Sequence, residues 1–191
     1  MTELESLPRL VTERFVLRAP SDEDARGLFA IYGDPEVMRY WSRGPMTDEG
    51  EAQQLIDDIH GYFAARPQEL VEWVVARRED DFVIGTVTLA SISHAHQRAE
   101  IGFAFARSEW GKGVASEAVT AVFDFAFERF GMLRIEADVD PENKRSLAML
   151  ERFGFQREGY LRERYRVGGG VQDTVMLGLL AREWAAHQSS P

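Results

Sequence analysis

The sequence predicts an α/β fold with a mixed, mostly antiparallel central sheet flanked by helices. Two periodicities indicate this: apolar residues recur every second position over 72–76, 82–89 and 99–106, but every three to four positions over 114–130. The order of the segments is the third observation. A strand and helices precede a three-strand meander, and helices then alternate with strands, which predicts helices packed on a mixed sheet.

The elements before the meander are one strand and three helices. Residues 14–19 alternate polar and apolar side chains and predict the first strand. The first helix is capped by Ser21, and a short second helix begins at Asp34 and reaches Trp41. A longer helix covers roughly 48–65 until Pro67 ends it.

The elements after the meander alternate between helix and strand. An amphipathic helix covers 114–130, a strand follows at 134–139, and a second helix covers 143–153. Two further strands lie around 156–166 and 173–180. The third strand of the meander and the helix of 114–130 therefore form a βα unit.

Length and composition predict one cytoplasmic domain over 1–191. No uncharged apolar run approaches the roughly 18 residues of a membrane span, and the acidic N-terminus does not resemble a signal peptide. The absence of cysteine excludes disulfides, thiolate metal sites and a cysteine acyl-enzyme. His94 and His96 have no third ligand nearby, so we expect no metal. The chain carries no indication of its oligomeric state.

The net charge of −10 is concentrated in one part of the chain. Residues 20–81 hold 15 acids and 6 bases, whereas residues 82–191 are nearly balanced, with 14 acids and 13 bases. One interpretation is a solvated acidic face that aids solubility. The other is an electrostatic field that attracts cationic substrates. Binding to nucleic acid is not expected at this charge.

The most informative stretch is a glycine-rich turn between a strand and a helix at 107–118. It predicts a phosphate-binding site, because free backbone N–H groups and the positive end of the helix dipole meet there. A P-loop is excluded, since Ala106 replaces its first glycine and Gly113 follows the lysine. A dinucleotide-binding fingerprint fits only weakly, at 111–116. It should also follow the first strand of a parallel sheet, whereas this turn follows a meander. The third interpretation is coenzyme A.

Four segments together resemble the GNAT acyltransferase superfamily, and most closely its RimJ/RimL branch of ribosomal-protein N-terminal acetyltransferases. They are AEIGF at 99–103, WGKGVASEA at 110–118, NKRSLAMLERFGF at 143–155 and DTVML at 173–177. The resemblance runs from about Arg14 to Trp184. All four segments in this order argue against chance similarity.

The resemblance implies a coenzyme A site in a core of about 99–155, where two neighbouring strands splay apart beside the glycine turn. Trp110 departs from the superfamily's usual Gln or Arg but matches the RimJ/RimL branch, and backbone amides do most of the phosphate binding in such a loop. A backbone N–H near Phe105 is expected to face the thioester oxygen. The implied cofactor-binding residues are Phe105, Arg107, Trp110, Gly111, Lys112, Gly113, Val114, Ala115 and Asn143.

Two catalytic residues are implied, Glu100 as a base acting through water and Ser146 near the sulfur. Many superfamily members protonate the thiolate with a tyrosine, but Leu150 occupies that place here. Ser146 then contributes a hydrogen bond, or the thiolate leaves unassisted, which the ordinary thiol pKa of about 8.5 tolerates. A structural alternative pairs Glu100 with Arg98 or Arg134. Asn143 and Ser146 also suit a helix N-cap and first turn.

The function implied is direct transfer of an acetyl group from acetyl-CoA to a primary amine, without a metal. By resemblance the helices of about 21–66, with Tyr40, Trp41, Tyr62 and Phe63, wall the acceptor site, although core packing also explains such aromatics. Protein N-termini, polyamines, amino sugars and aminoglycoside-like drugs remain open as acceptors, with a bias to protein N-termini by analogy. A catalytically weak acyl-CoA-binding or sensing domain and a dinucleotide-binding domain are the alternatives.

Overall fold

A computed structural model describes residues 3–188 of the chain. Its sheet has eight strands in the spatial order β1-β2-β3-β4-β5-β6-β8-β7. The strands are β1 (Leu10–Val11), β2 (Phe15–Arg18), β3 (Val71–Arg77), β4 (Val83–Ser93), β5 (Arg98–Phe105), β6 (Arg134–Val139), β7 (Gln156–Val167) and β8 (Gly170–Leu180).

Six α-helices accompany the sheet within the described residues. They are α1 (Ala25–Tyr32), α2 (Pro35–Met38), α3 (Glu49–Ala64), α4 (Val114–Asp124), α5 (Lys144–Arg152) and α6 (Ala181–Gln188). Short 3₁₀ turns, Asp22–Asp24 and Arg107–Glu109, precede α1 and the glycine turn, and a π-helical turn, Phe125–Arg129, continues α4. None of these helices is long and apolar enough to cross a membrane.

Helices cover both faces of the sheet because strand side chains alternate. Trp73 and Val75 of β3 join the larger core, which lies against α4, α5 and α6. Val74 and Ala76 of the same strand join the smaller core, which lies against α1, α2 and α3. Trp184 secures α6 to α4 by donating from its indole Nε1 to Asp124 at 3.0 Å.

The only parallel pair among the described strands is β5 with β6, and it is short. Its register joins Arg98 to Arg134, Ala99 to Ile135 and Glu100 to Glu136, and it goes no further. Both strands continue, to Phe105 and Val139, so residues 101–105 and 137–139 have no pairing with each other. We call this region the strand gap. The expected splaying of the two central strands is therefore observed.

The predicted fold class is confirmed, and the differences are local. The sequence analysis does not predict β1 or α6. A two-residue strand is too short to show a period, and α6 has one buried side chain, Trp184, among mostly polar neighbours. The helix predicted over 114–130 changes to π-helical geometry after Asp124, and the short helix expected to reach Trp41 ends at Met38.

Candidate active site

The backbone of β5 faces the strand gap with hydrogen-bonding groups that β4 does not use. Ala106 donates its N–H to Ile84 of β4 at 2.9 Å. Hydrogen-bonding direction alternates along an antiparallel strand, so the N–H and C=O of Phe105, which is opposite Gly85, point away from β4 and toward the gap. An extended ligand in the gap can therefore pair with β5 as an additional strand does.

Trp110 closes the end of this gap. Its indole Nε1 donates to the Phe105 carbonyl at 2.9 Å, and the Arg145 guanidinium lies 4.9 Å from its ring centroid. Trp110 thus uses the Phe105 carbonyl as its acceptor. The Phe105 N–H, on the same side of the strand, stays available to a ligand. This contact links the turn after β5 to α5.

The glycine turn has the backbone geometry of an anion-binding loop. Gly111 and Gly113 have φ of +77° and +76°, which L side chains rarely adopt. The helix begins at Val114, and its backbone bond from Glu117 to Gly113 measures 3.1 Å. The amides of residues 114–116 precede that donor and have no acceptor within the helix. The Val114 side chain is buried, so only its backbone is available to a ligand.

Arg14 clamps this loop from the N-terminal part of the chain. Its Nη1 donates to the Lys112 carbonyl at 3.0 Å, and its Nε donates to Glu117 at 2.6 Å. Thr12 donates to the same carboxylate at 2.6 Å. Burial alone raises the pKa of Glu117, but these hydrogen bonds outweigh it and hold the pKa low. Sequence reasoning missed this clamp, because the partners are about a hundred residues apart and no local pattern links them.

The charged side chains of the turn lie at the surface and are paired. Lys112 Nζ is 3.3 Å from Glu109, and Arg107 Nε is 3.5 Å from Asp34. Arg107 lines a separate cleft of about 450 Å³, together with Ser108 and Glu109. The role of Lys112 and Arg107 as phosphate ligands stays a prediction.

A second cleft, of about 180 Å³, brings the predicted catalytic residues together. Glu100 lines it from β5, Asn143 and Ser146 from the start of α5, and Tyr40 and Trp41 from the segment after α2. We call it the acceptor cleft. It includes residues 101–103 and 137–139, so it opens into the strand gap. Tyr62 and Phe63 of α3, also expected as walls, are not among its lining residues: Tyr62 is exposed and Phe63 packs against the larger core.

The Glu100 carboxylate forms no ion pair within the described residues. Within residues 3–188 it accepts no hydrogen bond, and the two suggested partners, Arg98 and Arg134, contact Glu136 at 2.7 and 2.8 Å. Burial raises the pKa of Glu100, and the negative charges of Asp138 and Glu136 raise it further. A carboxylate with a raised pKa is suited to general base catalysis.

Four carboxylates and no lysine or arginine are found among the described side chains that line the acceptor cleft: Glu100, Asp138, Asp140 and Asp173. All four come from the part of the chain with nearly balanced charge. The acidic block of 20–81 contributes only Tyr40, Trp41 and Ser42 to the lining. The acidic character of the cleft is therefore local, and the charge split of the sequence does not cause it.

The start of α5 performs the capping role that its sequence suggests. The Asn143 side chain accepts the Ser146 N–H at 3.2 Å, which fixes both residues where α5 meets the cleft. Leu150, in the place of the usual tyrosine, is fully buried. Tyr165 also lines the cleft, but its hydroxyl donates to Asp138 at 2.8 Å.

The described residues contain no group of three His, Asp or Glu side chains that could hold a metal ion. The site offers a glycine turn with free backbone amides, an unpaired edge of β5, and the Glu100 carboxylate in the cleft that opens into the strand gap. Such a site can bind an extended phosphate-bearing ligand and deprotonate a second molecule at its end.

Comparisons with known proteins agree with this geometry. The family model described as an acetyltransferase (GNAT) domain matches residues 14–156. A Bacillus licheniformis protein called uncharacterized N-acetyltransferase p20 is 40% identical over 176 residues, covering 92% of this chain and 98% of that protein. Spermidine N(1)-acetyltransferase of Escherichia coli strain K12 is 26% identical over 175 residues, covering 92% of this chain and 90% of that protein.

The fold also matches solved structures. The crystal structure of spermidine N-acetyltransferase from Vibrio cholerae in complex with CoA and spermine is similar with a TM-score of 0.77 and 25% identity, covering 90% of this chain and 98% of that chain. These matches confirm the resemblance indicated by the four sequence segments. The chain belongs to the GNAT acetyltransferase family.

Proposed function

We propose that this N-acetyltransferase transfers an acetyl group from acetyl-CoA directly to the primary amine of a small cationic acceptor, with Glu100 as the base. The observation that carries the proposal is the position of Glu100. Its carboxylate accepts no hydrogen bond within the described residues and lines an acidic cleft that opens into the strand gap. The same position favours an enzyme over a domain that only senses acyl-CoA.

The chain's own groups fit acetyl-CoA, the co-substrate of GNAT enzymes. The amides at the start of α4 and the positive φ of Gly111 and Gly113 suit the pyrophosphate. The unpaired edge of β5 suits the extended pantetheine arm, and the Phe105 N–H is placed to donate to a carbonyl oxygen in the gap. Acetyl-CoA supplies an activated thioester carbonyl when it is bound.

Amine acetylation requires that the acceptor lose a proton. Amines are largely protonated near neutral pH, because the pKa of an alkylamine such as lysine is about 10.4. Glu100, directly or through a water molecule, takes that proton in the cleft. Ser146 lies at the start of α5 in the same cleft and offers a hydroxyl hydrogen bond to the leaving sulfur, where other family members are expected to use a tyrosine.

The lining of the cleft favours an acceptor with more than one positive charge. The cleft lining has four carboxylates and no cation among the described residues. It therefore attracts a multiply charged amine more strongly than it attracts the N-terminus of a neutral peptide. Two relatives, from Escherichia coli and Vibrio cholerae, are named as spermidine acetyltransferases, which supports a polyamine-like acceptor for this chain. The analogy with the RimJ/RimL branch favoured protein N-termini, but the lining of the cleft gives that acceptor no comparable support.

A panel of amines with acetyl-CoA, followed by release of free thiol, tests the proposal. The panel includes spermidine, spermine, a monoamine, an amino sugar, an aminoglycoside, and peptides with neutral or basic N-termini. We expect turnover with the polyamines and a large loss in Glu100→Gln. CoA binding without thiol release for any acceptor overturns the proposed function and favours a sensing domain. A preference for neutral peptides overturns the proposed acceptor class.

A further inference from the structure

Asp138 is a second carboxylate of the acceptor cleft, and the role proposed for Glu100 does not use it. Its side chain is only 7% exposed and lies near the C-terminal end of β6. Ala137 and Val139 of β6 pack in the larger core, as does Ile101 of β5. Since side chains alternate along a strand, Asp138 and Glu100 share the opposite face of the sheet, one on each side of the strand gap.

Two neutral hydroxyl groups hold the Asp138 carboxylate. Tyr165 donates to Oδ2 at 2.8 Å, and Thr174 donates from Oγ1 to Oδ1. Arg164 adds a loose ion pair, with its Nε 3.8 Å from Oδ2. A carboxylate has about four lone-pair sites, so sites remain for a ligand. A largely buried anion held mainly by neutral donors gains from a cation placed beside it.

The β7–β8 hairpin positions these hydroxyls. Pairing is irregular between Leu161 and Tyr165, and Glu163 within this bulge has a φ of +54°. The Glu163 N–H donates to Asp173 at 2.7 Å, which fixes the bulge against β8. Bulges commonly re-aim side chains next to active sites. Here the bulge precedes Tyr165, which contacts Asp138 from a strand that is otherwise exposed.

We propose that Asp138 is an acceptor-binding residue that accepts a hydrogen bond from the acceptor ammonium beside Glu100. The inference rests on the proposed function. The surroundings of the two carboxylates suit two tasks: Asp138 is fixed by two hydroxyls, whereas Glu100 accepts no hydrogen bond within the described residues. A fixed anion orients a cation, and the unencumbered carboxylate takes the proton.

Loss of the Asp138 charge has a second consequence, on the pKa of Glu100. Burial raises this pKa, Asp138 and Glu136 raise it further, and Arg164 and Arg98 oppose them. The other titratable side chains of the cleft within residues 3–188 are Tyr40, Asp140, Tyr165 and Asp173. A base acts when deprotonated, so the rate falls as pH drops through its pKa. Removal of one nearby negative charge lowers that pKa and moves the acid limb to lower pH.

Asp138→Asn tests the inference with acetyl-CoA and the best wild-type amine. We expect the acceptor KM to rise about tenfold or more, because a buried anion that pairs with the ammonium is lost. The acid limb of kcat/KM should move to lower pH. CoA affinity measured by calorimetry should stay within about twofold, since the partners of Asp138 are Tyr165, Thr174 and Arg164 and not residues of the glycine turn. Glu142→Gln is the charge-matched control: it removes an exposed carboxylate that does not line the cleft, and the acceptor KM should rise much less.

Tyr165→Phe provides a second variant, which keeps the ring and removes one hydrogen bond to Asp138. We expect an intermediate rise in acceptor KM with CoA affinity retained, and this variant decides the question if Asp138→Asn does not fold. An unchanged KM in both folded variants, or equal effects of Asp138→Asn and Glu142→Gln, overturns the inference. Absence of thiol release from the wild-type protein with every amine overturns the proposed function instead.

Discussion

Glu100 and Glu136 occupy paired positions on adjacent parallel strands, but their surroundings differ. Glu136 accepts hydrogen bonds from Arg98 and Arg134, while Glu100 lines the acceptor cleft. Both arginines are engaged by Glu136. Burial and the charges of Asp138 and Glu136 raise the pKa of Glu100, against the opposing charges of Arg164 and Arg98. The ion pairs of Glu136 thus leave Glu100 without a hydrogen-bonded cation, which suits the base that we propose.

Glu100→Gln keeps the shape of the side chain and removes the base. We expect kcat to fall about 10²-fold or more near neutral pH. The loss should shrink at high pH, where the free amine is abundant, and CoA affinity should change little. Steady-state kinetics across pH provide the measurement. Wild-type turnover at every pH would reduce Glu100 to a structural residue of β5.

Ser146→Ala should reduce kcat less than Glu100→Gln does. A serine hydroxyl is a poor acid, and a departing thiolate with an ordinary pKa of about 8.5 needs little help near neutral pH. The Asn143 cap uses the Ser146 backbone N–H rather than its hydroxyl, so the start of α5 should stay intact. Kinetics of both variants under identical conditions give the comparison, and a loss equal to that of Glu100→Gln would reverse this order.

The glycine turn of 110–114, which we propose as the phosphate loop, would bind its ligand through the backbone. Its two positive-φ glycines shape the turn, and Arg14 ties the Lys112 carbonyl to Glu117 of α4. The loop is therefore fixed before a ligand binds, so little ordering entropy is lost on binding. The predicted glycine turn and the unpredicted clamp form one structural unit.

Gly113→Asp places a carboxylate and a Cβ at the N-cap of α4, where pyrophosphate is expected. We expect the CoA affinity to fall at least about tenfold, or about 1.4 kcal/mol. Gly131→Asp is a matched control, because Gly131 also has a positive φ, +79°, but lies beyond the other end of the helical segment. Both changes strain the backbone by about 1 kcal/mol, and only Gly113→Asp should weaken CoA in calorimetry. Unchanged CoA binding in Gly113→Asp would contradict the loop assignment.

At the scale of the whole molecule, the acceptor cleft and the phosphate loop differ in charge. The acceptor cleft collects four carboxylates from β5, β6, β8 and the segment after β6, whereas the phosphate loop offers backbone amides at a helix N-terminus. We therefore expect a cationic acceptor and the anionic co-substrate to contact different parts of the molecule. The net charge of −10 adds a general attraction for cations.

Ionic strength should affect the acceptor more when the acceptor carries more charge. Salt screens surface fields over roughly 8–10 Å near physiological strength, so the KM of a polyamine should rise markedly between low salt and about 0.5 M salt. A monoamine serves as the control, with a shallower dependence. If the KM of neither amine changed with salt, the acidic residues would have a role in solubility only.

Local patterns in the sequence were sufficient for the fold class and for most elements. Period-two and period-3.6 segments identified the meander, α4 and α5, because burial of one face leaves a period in the chain. The glycine turn and Asn143 were also readable, since positive φ and N-capping need particular residue types at particular positions. The two-residue β1 and the polar α6 leave no such period.

Contacts between distant residues required the folded structure. The sequence marked residues 20–81 as the acidic part of the chain, yet the cleft carboxylates come from Glu100, Asp138, Asp140 and Asp173. Strand pairing and the β7–β8 bulge bring them together, and long-range contacts of this kind leave no local signal. The same holds for Arg14 at the phosphate loop. The fold class and the glycine turn can be predicted from the sequence because both depend on local patterns, whereas the charge of the acceptor cleft depends on which strands are neighbours.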